Sequence, residues 1–450
     1  MTEPAGDSNR QPRRRWPRPR LTVRVLMVLV LMFGSGFGWV VHRARVQRNA
    51  VAAIERAGGF VSYDGDRPVS RNRPRPRWKE WLIEHMGIDY FESVRLVVFE
   101  KEDRPTQARI DDALMARIGA LTRLNRLIFW GKNSVTDAGL MHLRSLHELE
   151  AIAFFDASMI KGPGLVHLAG LRHLKQVQFE KLNLSDADIA HLAGLTSLEE
   201  LTISGRGITD EGLAHLERLT NLSLLMIVNT RNTGAGLVHL GRLSKLQGLV
   251  LEETQVETLE PLRTVAMFQK LDVLDLADTP IDDKGLAPVT GLRTLGTLDL
   301  SRTRVTDAGL ACLADLPSLS QLTLGGPVIT DAGMGRIAEL TGIVSLSLEG
   351  TAITDAGLAP LAELPGLNSL VLNKTRITDA GVRYLATMAG LSHLCLEETA
   401  LTDSGLKQLG PLPNLQLLRL GGTRVTDAAV ASFRAAHPGV QIEQVIHHDP

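Results

Sequence analysis

Cysteine is almost absent from this chain: Cys312 and Cys395 are the only two in 450 residues, which excludes a disulfide framework. Aromatic residues make up only 4%, so any place where they gather stands out. Net charge is also small, at −1, and by itself points to no class of partner. The metalloprotease HExxH, a glycine-rich phosphate loop, a nucleophile elbow and the kinase signatures are all missing, which leaves an enzymatic reading without residues to carry it.

What the chain has in abundance is one hexad. VTDAGL at 305–310 returns as ITDAGM at 329–334, ITDAGL at 353–358, ITDAGV at 377–382, LTDSGL at 401–406 and VTDAAV at 425–430. Upstream it survives as VTDAGL at 135–140 and ITDEGL at 208–213, with more worn copies between. Counted from IDDALM at 110–115, and including the degenerate VETLEP at 256–261, the array holds 14 units. A regular period means one structural unit copied many times, a solenoid rather than several domains.

The unit beginning at Leu292 shows how it folds. Leu295, Leu298 and Leu300 follow LxxLxL, a short strand with alternate side chains turned inward. Thr303 closes the strand and Val305 re-enters the core. Thr306 or Asp307 is placed to cap a helix, whose inward stripe is Leu310, Leu313 and Leu316. On this pattern Asp137, Asp210, Asp307, Asp331, Asp355, Asp379, Asp403 and Asp427 are expected as structural helix caps, in preference to calcium ligands, because calcium needs six or more oxygens in a tight loop.

Strand, turn, helix and return, with LxxLxL and a TDAGL turn, resemble the leucine-rich repeat superfamily. The likeness is closest to the cysteine-containing subtype of F-box proteins, with threonine here at the cysteine position (Thr254, Thr279, Thr303, Thr351, Thr375, Thr399 and Thr423). It covers residues 93–446 and implies an α/β solenoid, with a parallel β-sheet on a concave face and short helices on the convex one. It also implies a binding scaffold rather than an enzyme. A ubiquitin-ligase adaptor would carry an F-box before the repeats, and none is visible, so that role is disfavoured.

Ahead of the repeats, residues 1–20 form a basic tail with six arginines between positions 10 and 20. Residues 21–41 are an apolar run long enough for about 26–31 Å of helix, read as a transmembrane helix. The arginine excess on its leading side places the amino terminus in the cytoplasm and the repeat domain outside it, and favours a topological role over nucleic-acid binding. With this tail and single membrane helix, the whole chain looks like the membrane-anchored leucine-rich repeat proteins of planctomycete bacteria. Residues 42–92 read as a juxtamembrane region and amino-terminal cap: a short helix stopped at Gly58 and Gly59, a strand, a Pro/Arg-rich loop, and the aromatic segment holding Trp78, Trp81, Tyr90 and Phe91. That aromatic segment is the expected cover for the first unit.

Residues between the inward leucines of each strand point out from the concave face and give the candidate ligand-binding set: Trp130, Phe155, Leu224, Met226, Val228, Val250 and Glu252. Exposed aromatic and apolar groups of this kind anchor protein interfaces. His142, His167, His191, His215 and His239 share one helical position, but they lack local carboxylate or thiolate support and are read as copies of one surface residue. No metal site, catalytic residue or cofactor is expected. The expected partners are a protein or peptide ligand and the membrane. A structural spacer or adhesion role is the alternative reading.

Overall fold

A computed structural model describes residues 23–64, 77–100, 109–264, 268, 270–410 and 412–445. The basic tail, the start of the apolar run and the Pro/Arg-rich loop lie outside these residues. The chain opens with helix α1 (Val23–Arg56), then strand β1 (Gly59–Tyr63), helix α2 (Arg77–Met86) and strand β2 (Val94–Phe99). From β2 onward every unit contributes one short strand. All strands join a single 16-stranded sheet whose spatial order is the chain order. β1 is antiparallel to β2, and every later pairing is parallel.

Constant register follows from constant spacing. Leu298 lies opposite Leu322, which lies opposite Leu346, and the column continues through Leu370, Leu394 and Leu418. These leucines and those of the helical turns form one continuous buried core. At the amino-terminal end Phe99, Phe129, Phe154 and Phe179 replace leucine and stack in sequence, with ring centroids 4.8, 4.4 and 5.5 Å apart. From the strand Gln176–Phe179 to the strand Leu417–Arg419, each strand exits through a left-handed residue. Seven of these are not glycine, including Glu253, Asp278 and Arg302 with φ of 53°, 56° and 54°. The threonine that follows holds this turn closed: Thr303 Oγ1 donates to the Leu300 carbonyl at 2.8 Å, and Thr279 to that of Leu276 at 2.6 Å.

The hexad works differently from the expected aspartate cap. The capping side chain is the threonine: Thr330 Oγ1 accepts from the Ala332 N–H at 3.3 Å, and Thr354 and Thr402 do the same one residue ahead of their aspartates. The aspartate instead reaches the neighbouring unit. Asp307 Oδ1 accepts the Thr330 N–H at 2.9 Å, and its Oδ2 accepts the Thr330 hydroxyl at 2.6 Å. Asp210, Asp331, Asp355, Asp379 and Asp403 repeat this arrangement with Thr233, Thr354, Thr378, Thr402 and Thr426. Asp137, whose next unit lacks the threonine, accepts the N–H groups of Lys161, Gly162 and Gly164. Asp427, in the last unit, accepts from Gln444 Nε2 at 3.2 Å. The physical reason is position: an aspartate in the first helical turn points toward the next unit, whose threonine presents both an N–H and an O–H to it.

The hexad's glycine completes this contact. A Cβ on Gly333 would sit 2.5 Å from Asp307 Oδ1, so only a bare Cα fits against the carboxylate. In the last unit Ala429 replaces glycine, and there the cap changes: Thr426 has φ −83° and ψ 156°, and accepts from the third N–H after it rather than the second.

Residues 42–92 also depart from expectation. α1 runs unbroken from the apolar run into the cap, with no separate short helix. Its second half covers the first unit through Ala44, Gln47, Ala50, Ile54 and Ala57, an i, i+3, i+4 stripe small enough for close packing. Of the aromatic segment expected as the cover, α2 buries none of its residues and Trp78 and Trp81 are 65% and 57% exposed, while Tyr90 and Phe91 beyond it are half-buried. At the far end the strand Gln441–Glu443 closes the sheet, with Val440 and Ile442 packed on the core as expected. Among the described residues no helix is long and apolar enough to cross a membrane, and the expected span at 21–41 begins outside them.

Candidate interaction surface

The strand residues that alternate with the inward leucines form three columns on the open face of the sheet. One runs Arg126, Ala151, Gln176, Glu200, Leu224; the next runs Ile128, Ala153, Gln178, Thr202, Met226, Val250, Asp275, Asp299. The third lies at the strand exits and brings Trp130 beside Phe155, since the Phe155 N–H bonds to the Phe129 carbonyl as the Trp130 N–H does to that of Phe99. This column continues through Glu180, Ser204, Val228 and Glu252. The seven candidate residues all lie in these columns.

Their exposure is uneven. Trp130 is 45% exposed and stacks on half-buried Phe155, with centroids 3.8 Å apart and planes 6° apart. Leu224, Met226 and Val228 are half-buried, side by side on one strand. Val250 departs from the expected open position. It is 9% exposed, flanked by the strands that carry Met226 and Asp275, and so supports the apolar patch more than it shows itself. Gly248 beside it has no side chain, and a Cβ there would lie 2.7 Å from Leu224 Cδ1, so Leu224 folds over this gap.

Beyond the apolar patch the face turns acidic. Burial pushes the Asp275 carboxyl up to about 6, with the charges of Asp299 and Glu252 adding to it and a hydrogen bond from the Ala277 N–H opposing. Glu252 is likewise raised, first by burial and then by Glu253 and Asp278. Arg302 relieves part of this charge and is bound to Asp278 through Nε at 2.7 Å. An open polar cleft of about 710 Å³, with Arg206, Arg231, Glu253 and Asp278 among its walls, lies beside the strand exits of these units.

Sequence reasoning missed three features: the aspartate–threonine ladder, the α1 cap and the acidic step at Asp275. The first had a signal in the recurring TDxG spacing, which pairs a long acceptor with a residue that has no side chain. The last had none, since burial of a strand aspartate depends on its neighbours. The five histidines of the GLxHL position lie at helical turns away from the sheet face. Among the described residues no group of three or more His, Cys, Asp or Glu side chains is placed to hold a metal ion.

Comparison with known proteins agrees with this architecture. A family described as Leucine Rich repeat matches residues 291–314. Among solved structures the chain is similar to an internalin of Listeria monocytogenes, with 24% identity, 72% of this chain and 86% of that one covered, and a TM-score of 0.51. It is also similar to a leucine-rich repeat protein of Leptospira interrogans, at 18% identity over 73% of this chain and 80% of that one, with a TM-score of 0.49. In the yeast Rad7 and Elc1 complex, a matching chain has 22% identity over 68% and 83%, with a TM-score of 0.49. None of the curated proteins compared with the sequence matches it.

Proposed function

We propose that this leucine-rich repeat chain is a non-enzymatic recognition protein, anchored in a membrane, whose open sheet face binds a protein or peptide. The observation that carries the reading is the pairing of an exposed aromatic stack, Trp130 on Phe155, with the apolar strand of Leu224, Met226 and Val228 on the same face. Apolar anchors separated by polar residues are the usual composition of an interface centre and its surround. The acidic step at Glu252, Asp275 and Asp299 lies against the apolar strand and favours a ligand that carries a basic residue next to an apolar one.

Anchoring rests on residues 21–41, apolar after Arg24 and preceded by the arginine-rich tail. With the amino terminus in the cytoplasm, the repeat domain lies on the other side of the membrane. The likeness to membrane-anchored planctomycete proteins fits this arrangement. Affinity capture with the full chain tests the binding surface: a recovered partner should be lost when Met226 and Val228 are both changed to glutamate. Undiminished capture by that variant would remove the assigned surface. Reporter fusions on either side of residues 21–41 test the topology separately.

A further inference from the structure

Where α1 leaves the apolar run it borders a cavity of about 240 Å³ between the helix and the turn at 120–123. Its wall carries His42, Arg43 and Arg123 and no acidic side chain. The acidic groups nearby are already committed: Asp64 to Arg95, Asp89 to Arg48 at 3.3 Å, and Glu92 to Lys79 at 3.0 Å. Arg43 holds the Ser93 hydroxyl and lies 5.8 Å from the centre of the exposed Trp39 ring. Among the described residues Arg123 has no side-chain hydrogen bond or ion pair, and the same is true of His42. Three cationic or protonatable groups therefore converge on one space with no counter-charge of their own.

We propose that this cavity binds a phosphate group, supplied by the headgroup of an anionic phospholipid. The size suits a headgroup and not a whole lipid, being below the roughly 300 Å³ of ordinary small-molecule sites. Arginine presents a planar fork of donors to phosphate oxygens, and two forks with an imidazole give several charge-assisted hydrogen bonds. The cavity's height along α1 fits as well: Trp39 stands just inside the end of the apolar run, where tryptophan marks the boundary between lipid and water. This inference rests on the proposed membrane anchor. It adds that the repeat array is tied to the bilayer surface at its first unit as well as through the helix.

Native mass spectrometry of the full chain in neutral detergent tests it, with phosphatidylglycerol, phosphatidylcholine and inorganic phosphate as separate probes. The expected result is one phosphatidylglycerol retained per chain, about tenfold more tightly than phosphatidylcholine, and weakened about tenfold in the His42→Gln, Arg123→Gln double variant. Both side chains are exposed and neither makes a hydrogen bond or ion pair among the described residues, so the variant should melt at the wild-type temperature. Equal retention of the two lipids, or equal retention by variant and wild type, overturns the site. Displacement by millimolar inorganic phosphate assigns it to a soluble phosphate and overturns the lipid. Alkaline extraction of wild-type membranes reads the anchor independently: release of the chain would refute the anchor without touching the binding measured in detergent.

Discussion

The indole of Trp130 lies flat on the phenyl ring of Phe155, 3.8 Å between centroids, at one register position of adjacent strands. Strands in a parallel sheet are about 4.8 Å apart, so side chains at one position are set at nearly the distance that stacked rings prefer. Replacing Phe155 with alanine is expected to cost about 1 kcal/mol, since the pair is partly solvated. Urea titration should show that small shift, while ligand capture falls much further. A stability loss of several kcal/mol would mean the pair serves the core instead of the surface.

The ladder predicts a specific non-additivity. Asp307→Ala removes the acceptor for two groups of Thr330 and should cost about 2 kcal/mol, and Gly333→Ala should also destabilise by bringing a methyl group against that carboxylate. In the double variant the closest contact of the new methyl group is gone and only Leu310 Cδ1, 2.8 Å away, remains in its path, so the combined cost should fall below the sum of the two. A double-mutant cycle by thermal unfolding measures this, and simple additivity would contradict the contact.

Asp275 makes stability depend on pH in a fixed sense. Its carboxyl titrates near 6 in the fold against an ordinary value of 3.8, so the native state holds the proton more tightly than the unfolded chain. The charged form therefore weakens the fold above pH 6, and this cost fades as pH falls from 6 toward 4. Asp275→Asn, which keeps an acceptor for the Ala277 N–H, should raise the melting temperature at pH 7.5 and have little effect at pH 4. A gain of equal size at both values would rule out the charge as its cause.

The cap predicts a contrast between two helices. Ile54→Ala, in α1, should destabilise by about 2–4 kcal/mol because Ile54 is fully buried against the first units. Trp78→Ala, in α2, removes a larger side chain yet should change the unfolding midpoint by less than about 0.5 kcal/mol, given its exposure. The reverse order would return the capping role to the aromatic segment.

The contrast also shows what could be read from the residues in order. LxxLxL and the hexad fixed strand, turn and helix, because their spacing matches the geometry of each element and neighbours repeat it 24 residues on. The face on which Trp130, Phe155 and Met226 lie followed from alternation alone. Burial of Val250 did not, because it depends on what Met226 and Asp275 do across the sheet. The cap was misread for a related reason. Trp78 and Trp81 look like core residues by type, while the alanines of α1 look neutral, yet close approach of a helix to a sheet end rewards small side chains. The aspartates were assigned to their own helices because sequence shows neighbours along the chain and hides the unit stacked beside it.

The aspartate ladder also has an arrow. Asp307 serves Thr330, Asp331 serves Thr354 and Asp355 serves Thr378, always from an earlier unit to a later one. Where the hexad keeps its aspartate, the unit synthesised first therefore carries the carboxylate and the unit synthesised after it carries the threonine. Growth from the amino terminus then adds that threonine to an acceptor already in place, and at the carboxyl end Gln444 occupies the last acceptor and ends the series.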